Sequence, residues 1–335
     1  MAGWLVLLRT AACLTAAALA LKRDVAHRRR VEGWPSILGM DVTQDPIVLQ
    51  HPTGSTLSIR KHGAHLCSWC PAGEREVIFM SEMASFGEND AIRGGIPLCF
   101  PQFGPRGKLP QHGFFRKSND WVLDSQFTSK GGDWVLTFKH TDTEATRASE
   151  WGHTFEALYE VVLNQHTLTT RLKVFNTGEE DISFTCALHT YFAVGDVGEA
   201  LVGGLKNVEY EDGTDGGKVK LEQGDRVGFW GEVDRVYGPT PNELVLEDGY
   251  LGRTIVINKD AGFPDAVVWN PWVEKAHALA DLPDSHYRKF VCVEVGAIRN
   301  PVIVKPGKEW EGAQTVCVKR PVLGDAWGPP KPAGT

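Results

Sequence analysis

Regular helical periodicity is scarce in this 335-residue chain, and so are the residue patterns that would name a chemistry outright. The seven cysteines are odd in number and scattered. Several lie among apolar residues, which fits reduced, buried thiols and not a disulfide framework. Cys67-Ser68-Trp69-Cys70 is a lone CxxC with no second pair to complete a zinc site, so strand packing is its plain reading. The glycine-rich segment lacks the GK[ST] ending of a Walker loop. Positive charge is not in excess: 35 Lys and Arg face 42 Asp and Glu, a formal net charge of −7. That balance argues against a general nucleic-acid binder, whose affinity rests on phosphate neutralisation, yet leaves room for a local anion pocket. No fixed-period repeat or propeller-blade signature is present.

What is there is mostly two-residue alternation. It appears at Trp134–Lys139, Phe155–Leu163 and Thr167–Val174, with further strand candidates at Arg253–Asn258, Phe290–Val295 and Gln314–Val318. Period two puts one face in a core and the other toward solvent or a second sheet. Turn residues separate the runs at Lys130-Gly131-Gly132-Asp133, Asn176-Thr177-Gly178 and Glu247-Asp248-Gly249. Only Trp272 to Asp281 suggests a short helix or turn. The expectation is an all-β fold, a large antiparallel sandwich or barrel. No composition break divides residues 35–322, which read as one domain. Residues 1–34 form an apolar and basic leader, with no acid before Asp24 and Arg28-Arg29-Arg30 following. It reads as a signal anchor, an organelle-targeting segment or another kind of leader, leaving cytoplasmic-facing and organellar locations both open. Residues 323–335 form a Pro/Gly-rich tail.

The segment Ala91–Arg116, AIRGGIPLCFPQFGPRGKLPQHGFFR, sets Arg93, Gln111, His112 and Arg116 among glycines, prolines and aromatics. Two guanidinium groups on such a frame suit a phosphate, and Gly94-Gly95 let the backbone approach a ligand. Ordinary surface ion pairs are the plain alternative for either arginine. Glu294, inside the apolar run Phe290–Val295, must be paired, reach water or serve chemistry. Partial desolvation would suit it to general-base work. His189 follows the apolar run Phe184–Leu188 and could act as a general acid, against the alternative of a satisfied core histidine. His112 could bond a sugar hydroxyl. Asp234 and Asp265 are secondary carboxylates, and Trp269 and Trp272 could stack on a sugar ring or simply pack.

Six segments together resemble the glucose-6-phosphate 1-epimerases, or hexose-6-phosphate mutarotases, relatives of the aldose 1-epimerases. They are IRGGIPLCFPQFG (92–104), LPQHGFFR (109–116), LHTYF (188–192), EVDRVY (232–237), DAVVWNPWVEKAHALAD (265–281) and VCVEVG (291–296). The resemblance implies a galactose-mutarotase-like antiparallel β-supersandwich. It implies His189 and Glu294 as the catalytic pair, with Arg93, Gln111, Arg116 and Asp234 binding substrate and His112 and Asp265 as further pocket residues. The chain departs from the family at Leu279-Ala280-Asp281, where Met-Ala-Asp is common. The expected activity is exchange of α and β anomers of a hexose 6-phosphate by acid/base ring opening and reclosure, with no cofactor, no metal and no nucleic-acid partner, in a monomer. An aldose 1-epimerase of free sugars, a glycoside hydrolase using Asp265 and Glu294, and a non-catalytic carbohydrate-binding protein are the competing readings.

Overall fold

Alternating side chains become strands wherever both faces find cover. A computed structural model describes Ile37 and residues 40–320; the expected leader and tail lie outside the described residues. Every strand of at least four residues pairs antiparallel with its neighbours. Nine strands form one sheet in the spatial order 226–228, 200–203, 243–248, 253–259, 309–319, 167–176, 155–163, 134–141, 122–128. A second sheet runs 218–221, 209–212, 233–237, 265–270, 290–304, 182–188, 98–99, with 191–193 also pairing against 290–304. A three-stranded sheet is made of 47–50, 56–59 and 66–70.

The expected strands are present and several run longer. Trp134–Lys139 extends to Thr141, Thr167–Val174 to Asn176, and Gln314–Val318 begins at Glu309. The largest difference is Phe290–Val295, which continues to Val304 as a 15-residue strand. Gly296 and Asn300-Pro301 conceal this in the sequence. Gly296 stays in register opposite Ala187, and the register against 182–188 shifts between Ala297 and Val302, so an irregularity absorbs Asn300-Pro301 within one strand. The short helix covers Trp272–His277, and Asn270 Oδ1 accepts from the Trp272 amide at its start. Among the described residues no helix is long and apolar enough to cross a membrane.

The second sheet positions the site because its two faces differ. Ala266, Val268, Leu188, Val291, Val293 and Val295 join the main apolar cluster, which also takes in Leu172, Val174 and Val316 of the nine-stranded sheet. Their alternate neighbours point the other way. Asp234 pairs with Trp269, Trp269 with Cys292, and Val267 with Glu294, and cross-strand partners share a face. The wall carrying the candidate residues is therefore backed by the core, which holds it rigid.

The six described cysteines are all thiols. Cys67 Sγ donates to the His65 carbonyl and Cys70 Sγ to that of Glu74, so the CxxC packs as two separate residues of a strand.

Candidate active site

Glu294 lies on a central strand, not an edge, and is 1% exposed. Register sets its neighbour: Val295 stands opposite Leu188, which places Glu294 beside His189, the first residue past the strand 182–188. His189 Nδ1 lies 3.4 Å from Glu294 Oε1, too poorly aimed for a hydrogen bond. Nδ1 and Glu294 Oε2 are both buried without any partner. Leaving such groups unpaired costs roughly 1–3 kcal/mol each. A fold tolerates that where a ligand supplies the missing bonds.

The imidazole is held from three sides. Its ring stacks on Tyr191 with centroids 4.9 Å apart and 7° between planes, and meets the rings of His112 at 5.4 Å and Trp269 at 6.0 Å edge-on. The His189 amide donates to the Pro97 carbonyl, fixing the backbone as well.

The loop from Arg93 to Arg116 is folded back against this wall. Gly95 adopts φ +68° and donates to the Phe79 carbonyl, while its own carbonyl accepts from the Tyr191 amide. A Cβ there would come within 2.1 Å of His65 Nε2, so only glycine allows this approach. The result carries Arg93 to Tyr191: Nη1 donates to the Tyr191 hydroxyl at 3.0 Å, and Nε to Asp281 Oδ1 at 3.1 Å. Arg116 Nη2 donates to the Gln111 carbonyl at 2.9 Å, and its Nε is buried without a partner. His112 sits at φ +65°, and its Nδ1 accepts from the Gly104 amide at 3.2 Å and lies 3.2 Å from Cys99 Sγ. Nδ1 is thus an accepting nitrogen of a neutral ring, and the Gln111 side-chain nitrogen lies 3.3 Å from Nε2. Burial, with Arg116 and Arg93 nearby, holds the His112 pKa down to about 3.

Electrostatics separate the central pair in opposite directions. Burial raises the Glu294 pKa well above the usual carboxylate value, and the Asp234 charge adds to it. Burial lowers that of His189 well below an ordinary histidine, with His112, Arg116 and Arg93 adding to it. One proton shared by the two thus rests on the carboxyl group.

The other expected residues take distinct places. Asp234 lies toward the rim, 3.5 Å from Lys275 Nζ, which also meets Glu232 Oε1 at 2.8 Å. Asp265 shares the Glu294 face but is tied to the backbone: Oδ2 accepts from the amides of Ile298 at 2.7 Å and Arg299 at 2.8 Å. Trp269 borders His189, whereas Trp272 packs on Tyr287. Sequence reasoning gave no role to Tyr191, Asp281, Cys99 or Cys292. The available signal was alternation: Tyr191 lies two residues past His189 and Cys292 two before Glu294.

The sequence matches the family described as Aldose 1-epimerase over residues 45–317. A protein of Cenchrus ciliaris named "Putative glucose-6-phosphate 1-epimerase" is 38% identical over 275 residues, covering 80% of this chain and 83% of that one. A Salmonella typhimurium protein of the same name is 36% identical, covering 82% and 91%. A crystal structure from Salmonella typhimurium, described as a "putative mutarotase", superposes with a TM-score of 0.77 at 32% identity, covering 88% of this chain and all of that one. The architecture is that of the galactose-mutarotase-like proteins. By sequence and by fold alike, the chain belongs to the aldose 1-epimerase family.

Proposed function

We propose that this chain is an isomerase exchanging the α and β anomers of glucose 6-phosphate and related hexose 6-phosphates. The observation that carries the reading is the pair His189 and Glu294, 3.4 Å apart with a buried, unpartnered atom on each, beside two arginines. The relatives named for this activity at 36–38% identity support the same substrate.

In the reaction, the Glu294 carboxylate takes the proton of the C1 hydroxyl. The C1–O5 bond breaks, O1 becomes the aldehyde oxygen, and O5 takes a proton from the His189 imidazolium. Rotation about C1–C2 presents the other face of the aldehyde. Reclosure returns one proton from Glu294 to O1 and one from O5 to His189. No atom or electron is left over, so proton transfer between held groups suffices. In the open-chain state Glu294 is protonated and His189 neutral, which is the arrangement the pocket itself favours. Ring opening needs the reverse arrangement. Arg93 and Arg116 bind the phosphate, and its negative charge offsets the two cations that add to burial and His112 in keeping His189 neutral. Remote binding energy would in this way raise the reactive protonation state as well as position the sugar. Gln111, His112 and Asp234 bond sugar hydroxyls around the ring.

Anomer exchange followed by NMR tests the reading. Glucose 6-phosphate should exchange faster per enzyme than glucose. Equal rates would favour a free-aldose epimerase, and absence of exchange on both would leave a binding protein. Release of sugar from a glycoside would point to hydrolysis, although Asp265, tied to two backbone amides, is poorly placed to provide the second carboxylate.

A further inference from the structure

Cys292 is a metal-ligating group on the pocket wall that the reaction does not use. It is fully buried, stands two residues before Glu294 on the same face of the strand, and pairs with Trp269. Its Sγ, a nitrogen of His189 and a Glu294 carboxylate oxygen all lie within 4.8 Å of one another. Nitrogen, thiolate and carboxylate are the three donor types that zinc takes, and three protein ligands with an open fourth position define its accessible sites. Bond lengths of 2.0–2.3 Å at tetrahedral angles require neighbouring N and O ligands about 3.4 Å apart. His189 Nδ1 and Glu294 Oε1 are 3.4 Å apart. His189 Nδ1 and the other carboxylate oxygen, Glu294 Oε2, are also buried without a hydrogen-bond partner, so neither residue is fully committed within the protein.

We propose that His189, Cys292 and Glu294 form a site for a thiophilic divalent cation of the Zn²⁺ type, and that the ion inhibits the enzyme by occupying the place of the sugar C1. The proposal rests on the catalytic reading of His189 and Glu294 for the inhibition, and on geometry alone for the binding. On binding, the thiol proton and the proton shared by the pair leave to solvent, and no oxidation state changes. A hard cation such as Mg²⁺, which prefers oxygen ligands, gains little from a thiolate and an imidazole. The ion would therefore act as a reversible brake sensitive to free zinc.

The test uses the full-length protein, stripped of metal, with Co²⁺ as a spectroscopic stand-in for Zn²⁺. Wild type should develop a thiolate-to-cobalt charge-transfer band that Zn²⁺ abolishes by competition. Cys292→Ala and the size-conserving Cys292→Ser should both lack it. In anomer exchange, Zn²⁺ should inhibit wild type, and each Cys292 variant should need at least about tenfold more for the same inhibition, since even an outer partner of a metal ligand is worth that much. Zinc-free rates of the variants should be close to wild type. A missing band in wild type, variants as zinc-sensitive as wild type, or equal inhibition by Mg²⁺ would overturn the proposal. A cobalt band without any exchange activity would keep the site and reject the catalytic reading; exchange without the band would do the reverse.

Discussion

A single carboxyl group, kept from water and left with an unpartnered oxygen, carries most of the chemistry proposed for this molecule. Its proton is best described as belonging to the Glu294–His189 pair. Ring opening needs one proton on the pair in total. A second proton is gained only where His189 titrates, well below 6.5, and the first is lost only where Glu294 titrates, well above 4.5. The predicted pH profile, taken with a chelator present, has its acid limb below the ordinary histidine value and its alkaline limb above the ordinary carboxylate value. An acid limb at the ordinary histidine value, seen with free glucose as well as with glucose 6-phosphate, would contradict it. The arginines act on a different observable. Arg93→Ala should lower the preference for glucose 6-phosphate over glucose by about tenfold or more, the worth of a hydrogen bond to a charged group. Arg116→Ala should act in the same direction. Comparison of kcat/KM on the two sugars checks this, and unchanged preference in both variants would remove the phosphate assignment.

At the scale of elements, two features shape the site without touching its reacting atoms. Asp265 tethers the amides of Ile298 and Arg299, where the long strand 290–304 loses its regular register. Asp265→Ala should cost about 3 kcal/mol of stability in urea unfolding, since two charge-assisted bonds disappear from a buried position. Unchanged stability would show that the tether is dispensable. Gly113 closes the Arg93–Arg116 loop at φ +66°, where a Cβ would lie 2.2 Å from the Phe100 carbonyl oxygen. Gly113→Ala should destabilise by at least about 1–3 kcal/mol and displace His112, lowering both Tm and kcat/KM. A wild-type Tm would mean that the loop relaxes freely. These two positions also mark what a linear reading reaches. The strands were legible because alternation survives in the sequence, as in Phe155–Leu163, whose bounds match those expected. The full extent of 290–304 was hidden by Gly296 and Pro301, because a register irregularity depends on its partner strand. The tether of Asp265 was hidden because it is set by residues more than 30 positions away.

For the molecule as a whole, two stacked sheets do one job: the nine-stranded sheet and core back a wall that holds Asp234, Trp269, Cys292 and Glu294 on adjoining strands with His189 beside them. His189, Glu294 and the two arginines stand out in the sequence because their residue types interrupt apolar or glycine-rich words. Tyr191 and Asp281, which both bind Arg93, the tyrosine also stacking on His189, do not, because tyrosine in an apolar run and aspartate in a loop are ordinary until folding brings them together. The central claim is that this wall opens and closes a hexose 6-phosphate ring by proton transfer between Glu294 and His189. NMR exchange of glucose 6-phosphate anomers, comparing wild type with folded Glu294→Gln and His189→Asn, tests it most directly. Each variant should lose about 10²–10⁴-fold in rate, the usual contribution of one general acid or base; a rate within a few-fold of wild type in either would contradict the account.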